Sequence, residues 1–161
     1  MRLHHALHPM APQFRPATIE DNDAIFDMMV RVIHETIDPA YQSETIVHVT
    51  TNLRYWRRWP ESCVHLVATD GLAIVGVVLV RNFWNFCSLF VTDSHRGTGL
   101  GKQLTQQALD ACRHRSAIGA LYLVSTPSAV AFYQAQGFIP RESRQKLPPG
   151  FLPMGYTFTK D

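Results

Sequence analysis

The chain has 161 residues, of which 46% are hydrophobic and 17% charged, and its formal net charge is +2. This length supplies one sizeable hydrophobic core rather than two. The small charge and the scattered Lys and Arg residues argue against a nucleic-acid-binding surface, and no apolar run approaches the roughly 20 residues that a membrane span needs.

Residues 1–13 show no hydrophobic period, and we expect them to form a flexible leader before a single domain over residues 14–161. The leader contains three histidines, which we interpret as part of a flexible tail rather than as a metal site. They are His4, His5 and His8. Residues 14–18 predict a short edge strand, because an edge position tolerates Pro16.

Two helices are predicted next. In the first, Asp21 is the expected N-cap, and apolar residues recur at helical spacing up to Ile37. We expect a loop over residues 38–42 and then a second helix, with Ser43 as its N-cap, that ends before Pro60.

The middle of the chain changes to β-branched and apolar runs. Residues 64–69 and 73–81 predict two antiparallel strands around an Asp-Gly turn. Residues 86–91 predict a third strand, apolar on both faces and therefore central. After a helix, residues 120–124 predict a strand parallel to 86–91 through a right-handed crossover. The buried face of that helix is expected to consist of Leu100, Leu104, Ala108 and Ala111.

The end of the chain predicts a short helix over residues 128–136, which Gly137 ends. A closing pair of strands is expected over residues 138–147 and 154–160.

The segment Arg96-Gly97-Thr98-Gly99-Leu100-Gly101 has the layout of a phosphate-binding loop between a strand and a helix. Glycines permit positive φ and remove the Cβ atoms that would block an anion, while the N–H groups and dipole of the helix start face that anion. Arg96 adds a positive charge, and Lys102 adds another if it turns toward the ligand. The spacing fits neither the Walker loop nor the Rossmann fingerprint.

The same segment resembles the Arg/Gln-x-x-Gly-x-Gly/Ala motif of the GNAT superfamily of acetyl-CoA-dependent N-acetyltransferases. A second likeness lies in residues 129–138, Ala-Val-Ala-Phe-Tyr-Gln-Ala-Gln-Gly-Phe, which are similar to that superfamily's short helix with Ala, Tyr and Gly-Phe. The resemblance implies an α/β fold of the α+β type. Its mixed, mostly antiparallel sheet of six to seven strands has a central parallel pair that splays apart, and about four helices flank it.

The resemblance further implies that acetyl-CoA is the cosubstrate and that its pantetheine arm lies between strands 86–91 and 120–124. A backbone N–H near Leu89 is expected to face the thioester oxygen, where a preorganised donor contributes a factor of about 100 to 1,000 in rate. The residues implied for cofactor binding are Leu89, Phe90, Val91, Arg96, Gly97, Thr98, Gly99, Leu100, Gly101, Lys102, Thr126 and Phe132.

Two proton transfers are implied. Tyr133 occupies the family position of the general acid, and a phenol with an ordinary pKa of about 10 holds its proton at neutral pH. The alternative is that its ring only packs on the sheet. The chain departs from much of the family because no carboxylate lies between Trp84 and Val91. We therefore expect water to remove the amine proton. The residues expected to hold that water are Asn85, Cys87 and Ser88, and the expected receiver of the proton is His34, Glu35 or Asp38 near the first inter-helix loop.

The expected acceptor is a primary amine, in a small molecule or a peptide, that attacks directly in a ternary complex. Its expected contacts are His34, Glu35, Asp38 and Trp84. There are three alternatives. The first is a GNAT-like binding or regulatory domain without turnover. The second is a different nucleotide-binding module that holds another phosphorylated ligand at the glycine-rich segment, against which Tyr133 and Gly137-Phe138 argue. The third is an acyl-enzyme route through Cys87, beside which the sequence places no base.

No metal, nucleic acid or membrane is expected as a partner, and the chain is expected to be a monomer or a homodimer. Three cysteines without a Cys-x-x-Cys pair favour a reducing compartment, so we expect a cytoplasmic location.

Overall fold

The computed structural model describes residues 11–160. The three histidines of the expected leader lie outside the described residues. The helices are α1 (Asn22–Thr36), α2 (Pro39–Arg58), α3 (Leu100–Cys112) and α4 (Val130–Ala135). The strands are β1 (Gln13–Pro16), β2 (Cys63–Asp70), β3 (Ala73–Arg81), β4 (Asn85–Val91), β5 (Ala120–Ser125), β6 (Ile139–Pro140) and β7 (Leu152–Thr157).

The seven strands form one sheet in the order β1-β2-β3-β4-β5-β7-β6. Every neighbouring pair is antiparallel except β4 and β5, which are parallel. Those two strands share a single register pair, Asn85 with Tyr122, and diverge beyond it. The expected fold class is confirmed, including the central parallel pair that splays apart.

A hydrophobic layer lies on each face of the sheet. Helices α1 and α2 cover one face through residues such as Ile25 and Leu53, and α3 covers the other through Leu104. The predicted buried face of α3 is wrong at its last position, since Ala111 is exposed and Cys112 is fully buried. Leu100, Leu104 and Ala108 are four residues apart, and the same spacing leads to Cys112 rather than to Ala111.

Helix α1 begins where the sequence predicts, with Asp21 as its N-cap. The carboxylate of Asp21 accepts hydrogen bonds from the Arg15 guanidinium and from the Thr18 N–H, each at 2.7 Å. The bond from Arg15 is the main reason that the pKa of Asp21 lies well below its usual range. This ion pair ties β1 to the start of α1.

Helix α2 begins earlier than predicted, and Ser43 is not its N-cap. The side chain of Asp38 accepts a hydrogen bond from the Ala40 N–H at 2.9 Å, and Pro39 occupies the first turn, where its missing N–H leaves no helical bond unmade. The predicted loop over residues 38–42 is therefore wrong. It is the first turn of a longer helix.

The closing strands are shorter than predicted. Strand β6 holds two residues rather than the expected 138–147, and β7 begins before residue 154. Residues 141–146 are all charged or polar, and most of them are exposed. The connection over residues 141–151 therefore leaves the sheet, and one bond from the Arg141 N–H to the Pro153 carbonyl, at 2.9 Å, holds its start.

Candidate active site

A β-bulge in the pairing of β4 with β3 lies where β4 turns away from β5. The register of β3 with β4 shifts between Leu79, which lies opposite Ser88, and Val80, which lies opposite Phe86. Cys87 is thus the extra residue of β4. A bulge bends the strand that carries it, which accounts for the divergence of β4 from β5.

The gap exposes backbone groups of β4. The Thr92 N–H donates to the Val75 carbonyl of β3 at 2.9 Å. Along a strand, successive N–H groups point alternately to its two sides. The Phe90 N–H therefore also points toward β3, whereas the N–H groups of Leu89 and Val91 point into the gap. The sequence implied backbone contacts to the cofactor from all three residues. The alternation directs backbone groups of Leu89 and Val91 into the gap, whereas the backbone of Phe90 faces β3; all three residues line the cleft.

The opposite side of the gap exposes backbone groups of β5. The Phe158 N–H donates to the Gly119 carbonyl at 2.9 Å, and the same alternation directs Tyr122 and Val124 toward β4. Tyr122 donates its N–H to the Trp84 carbonyl at 2.8 Å. The register ends there, so the Val124 backbone opens into the gap. Sequence reasoning did not name Val124, although this alternation is the signal that points to it.

A cleft of about 1140 Å³ runs along the gap, between the glycine-rich segment at one end and α2 with residues 141–151 at the other. Tyr133 and Trp84 line it. The predicted cofactor-binding residues that line it are Leu89, Phe90, Val91, Arg96, Gly97, Gly99, Leu100, Gly101, Lys102, Thr126 and Phe132. Thr98 does not line it, because its hydroxyl donates to the His95 carbonyl and closes the turn.

The glycine-rich segment forms an open concavity at the start of α3. Gly97 and Gly99 have φ values of +75° and +85°, and no atom lies within 4 Å of a Cβ added at either position. Gly99 is the N-cap of α3, and no side chain caps this helix end. The N–H groups of the first helical turn therefore remain available to an anion. A Cβ at Gly101 would lie 3.6 Å from the Phe132 ring, which covers this turn.

Two cations lie beside this concavity. The Arg96 guanidinium contacts the carboxylates of Asp93, at 3.0 Å, and Glu35, at 3.4 Å, so its charge is shared with two acidic groups. Lys102 is exposed and forms no ion pair with any described residue. Lys102 thus carries the uncompensated positive charge at this end of the cleft. The ion pair of Arg96 with Glu35 connects the glycine-rich segment to α1.

Tyr133 lies in the middle of an aromatic cluster beside the cleft. Its ring centroid is 5.2 Å from that of Phe132, 5.7 Å from that of Phe138 and 6.0 Å from that of Phe86. Burial raises the pKa of Tyr133 above its usual value. The phenol therefore keeps its proton throughout the neutral range. Tyr133 therefore both packs in the aromatic cluster and lines the cleft.

Three of the residues expected to contact the acceptor do not line the cleft. The His34 Nδ1 lies 2.9 Å from the Gln42 Oε1, Glu35 pairs with Arg96, and Asp38 caps α2. The earlier start of α2 replaces the expected loop with a helical face. The residues of that face that line the cleft are Tyr41, Glu44, Thr45, His48, Val49 and Asn52.

The polar residues of β4 differ in what they offer. Ser88 is 4% exposed and lines the cleft, and its hydroxyl has no hydrogen-bond partner among the described residues. The Cys87 thiol donates to the Leu79 carbonyl at 3.4 Å, and burial raises its pKa to about 12. Because the thiolate is the nucleophilic form, Cys87 is poorly suited to carry an acyl group.

Within residues 11–160, no group of three or more His, Cys, Asp or Glu side chains is arranged to hold a metal ion. No helix in that range is both long enough and apolar enough to cross a bilayer.

Comparison with known proteins finds one matching family model and many solved structures with a similar fold. A family model described as an acetyltransferase (GNAT) domain matches residues 31–154. No curated protein sequence is similar enough to count as a relative.

Three solved structures illustrate the fold. A GCN5-related N-acetyltransferase from Rhodopseudomonas palustris has a TM-score of 0.75 at 17% identity, over 92% of this chain and 96% of its own. The PaiA N-acetyltransferase from Thermoplasma acidophilum, solved in complex with coenzyme A, has a TM-score of 0.74 at 15% identity, over 92% and 100%. A ribosomal-protein-alanine N-acetyltransferase from Brucella melitensis has a TM-score of 0.69 at 19% identity, over 91% and 99%.

Proposed function

The chain belongs to the GNAT acetyltransferase family, and on that premise we propose that it transfers the acetyl group of acetyl-CoA to the nitrogen of a primary amine. The observation that carries the proposal is the meeting, in one cleft, of an open glycine-rich helix start, the unpaired backbone of two diverging strands and a protonated Tyr133.

The cleft suits the three chemical parts of acetyl-CoA. The pyrophosphate fits the first turn of α3, where Gly97 and Gly99 leave room and Lys102 supplies charge. The pantetheine amides require donors and acceptors in an extended line, and the gap-facing backbone of Val91 and Val124 offers both. The solved structure of PaiA with coenzyme A supports the same class of ligand.

The Leu89 N–H is the proposed donor to the thioester oxygen. During attack the new carbon–nitrogen bond forms as negative charge develops on that oxygen, before the carbon–sulfur bond breaks. A preorganised backbone donor stabilises this charge, which is typically worth about 3 kcal/mol. The Cys87 bulge beside Leu89 is the local feature that turns β4 away from its neighbour.

Tyr133 is the proposed donor of the proton that the departing sulfur takes up. Its raised pKa keeps the proton in place before reaction. The amine loses its own proton to water, for which the unpartnered Ser88 hydroxyl is the proposed anchor. β4 has no carboxylate to act as a base.

The acceptor is proposed to be a small molecule or the amine of a peptide. The name of the Brucella melitensis structure, a ribosomal-protein-alanine N-acetyltransferase, supports a peptide or protein as one class of acceptor for this fold. A regulatory domain that binds acetyl-CoA without turnover is the alternative. We favour turnover because Tyr133 and Ser88 offer a proton donor and a water anchor within one cleft.

Turnover is tested by following free thiol release from acetyl-CoA with a panel of amines and peptides. For an accepted amine, we predict that Tyr133→Phe lowers kcat by about 100-fold or more and leaves the KM for acetyl-CoA within about twofold. Tyr156→Phe is the matched control, because Tyr156 also packs against Phe138, at 5.5 Å, but does not line the cleft.

Equal loss of kcat in both variants would assign Tyr133 a packing role only. Acetyl-CoA binding without thiol release across the whole panel would favour the regulatory alternative.

A further inference from the structure

The end of the cleft away from the glycine-rich segment contains two arginines that the proposed acetyl transfer does not use. They are Arg81, at the end of β3, and Arg141, directly after β6. Neither forms an ion pair with a described residue. The Nε atom of each is buried without a hydrogen-bond partner among the described residues. A buried N–H donor of a charged group is costly to a fold when it has no acceptor, unless a ligand supplies one.

Both arginines lie on the same face of the sheet. Arg81 pairs in register with Asn85, and Asn85 pairs with Tyr122, so the three side chains project side by side. Arg141 reaches the same row from the far side, with its guanidinium carbon 3.9 Å from the Tyr122 ring centroid. The next residue in the row is Gly155.

Gly155 makes this arrangement possible. A Cβ there would lie 3.1 Å from the Tyr122 ring and 3.5 Å from the Arg141 Cδ. The missing side chain therefore lets the tyrosine ring extend over β7 and lets the arginine stack on it. The position of Arg141 follows from the packing of the sheet rather than from a loop alone.

Arg81 is also fixed. Its Nη1 donates to the Asn52 side-chain oxygen of α2 at 3.0 Å, and its guanidinium carbon lies 3.8 Å from the Tyr55 ring centroid. These contacts leave donors of the guanidinium without a partner. A planar donor group held in one orientation is suited to bidentate pairing with a carboxylate.

The two arginines are separate from the proposed pyrophosphate site. Strand β4 runs from Asn85, beside Arg81, to Val91, before the glycine-rich segment, which is about 20 Å at the rise of a β-strand. Among the described residues that line the cleft, Glu44 is the only carboxylate, and it is exposed. The acceptor end of the cleft therefore carries net positive charge.

We infer that the acceptor amine also carries a carboxylate, which pairs with Arg141 and Arg81. The rings of Trp84 and Tyr122, whose centroids are 6.1 Å apart, form an apolar wall beside these cations, so an amino acid with an apolar side chain matches the chemistry of this end. The inference rests on the proposed acetyl transfer for its reaction but not for its binding site.

The test uses phenylalanine, its carboxamide and phenethylamine as acceptors, and it compares kcat/KM from thiol release. The wild-type protein is expected to prefer phenylalanine at least tenfold over the two analogues that lack the carboxylate. Arg141→Gln and Arg81→Gln are expected to raise the KM for phenylalanine about 10- to 100-fold and to change the KM for the carboxamide less than twofold. The KM for acetyl-CoA is expected to stay unchanged.

Arg115→Gln is the matched control. Arg115 also stacks on a ring, with its guanidinium carbon 3.8 Å from the Phe83 centroid, but it lies outside the cleft. Its replacement removes one cation and one stacking contact and is expected to leave all three acceptors unaffected.

A binding measurement keeps this inference separate from the proposed function. Calorimetry with coenzyme A present compares N-acetylphenylalanine with N-acetylphenylalaninamide, and the carboxylate is expected to bind at least tenfold tighter. Equal affinity, no binding of either, or the same preference in Arg141→Gln would overturn the inference. Thiol release only with amines that lack a carboxylate would overturn it and leave the proposed function standing. Selective carboxylate binding without any thiol release would support it and remove the proposed function.

Discussion

His65 is a buried histidine whose ionisation the fold restricts. It lies on β2 and is 5% exposed, and its ring centroid is 4.2 Å from that of Trp56 in α2. Neither ring nitrogen has a hydrogen-bond partner among the described residues. Burial lowers its pKa to about 3, although the charge of Asp21 acts slightly in the opposite direction. His65 is therefore neutral in the folded protein, whereas it takes up a proton near pH 6.5 when the chain unfolds.

This difference predicts a pH dependence of stability. The contribution of His65 is fully present above about pH 6.5, and it is lost as the pH falls toward 3, because the unfolded state then binds one proton more. Urea denaturation between pH 7.5 and 4.5 should show the free energy of unfolding of the wild type falling up to about 1.4 kcal/mol per pH unit more steeply than that of His65→Leu. The exposed His48, replaced in the same way, provides the control. Parallel profiles for the wild type and His65→Leu would contradict the assignment.

Single residues also show what the sequence could and could not predict about the site. The glycines and Tyr133 stand in local motifs, and the structure places both motifs at one cleft. Arg81 and Arg141 belong to no motif, since 60 positions of sequence separate them and only the pairing of five strands brings them to one face. Their chemistry is visible only once the register is known.

At the scale of elements, the start of α2 shows how one cap changes the interpretation of neighbouring residues. Ser43 and Asp38 are both acceptable N-caps by type, and Pro39 after Asp38 is the signal that decides between them. The structure uses Asp38, and the helix then presents Tyr41 and Glu44 to the cleft.

The cap and the proton-acceptor roles of Asp38 predict different results. Asp38→Ala should lower the free energy of unfolding by about 1 kcal/mol, because the Ala40 N–H loses its acceptor. Asp38→Asn keeps a good cap and removes the charge, so it should retain stability and kcat/KM for an accepted amine. Chemical denaturation and thiol-release kinetics check both variants. A large loss of activity in a stable Asp38→Asn protein would restore Asp38 as a proton acceptor.

For the other elements too, features with local causes could be predicted from the sequence, and features that depend on distant strands could not. Periodicity and the Asp-Gly turn are local, and they predicted α1, β2, β3 and the parallel strand β5. The bulge at Cys87 and the two-residue length of β6 depend on partners in other strands, so no local pattern predicted them.

At the scale of the whole molecule, the sheet consists of two parts that meet at a single register pair. Strands β1–β4 and strands β5–β7 are joined at Asn85 and Tyr122. Helix α3 packs against β2, β3 and β4. A ligand that forms hydrogen bonds to the backbone of both β4 and β5 links these two parts of the sheet. Coenzyme A at 100 times its Kd should therefore raise the free energy of unfolding by about 2.7 kcal/mol.

The most direct test of the account is calorimetric titration of coenzyme A into Gly99→Val and Gly71→Val. Both glycines have positive φ and no atom within 4 Å of an added Cβ, so the two variants carry similar backbone strain, but only Gly99 lies in the cleft. We predict that Gly99→Val binds coenzyme A at least tenfold more weakly than the wild type, and that Gly71→Val binds it equally well. Unchanged affinity in a folded Gly99→Val protein would contradict the central claim that the start of α3 holds the pyrophosphate.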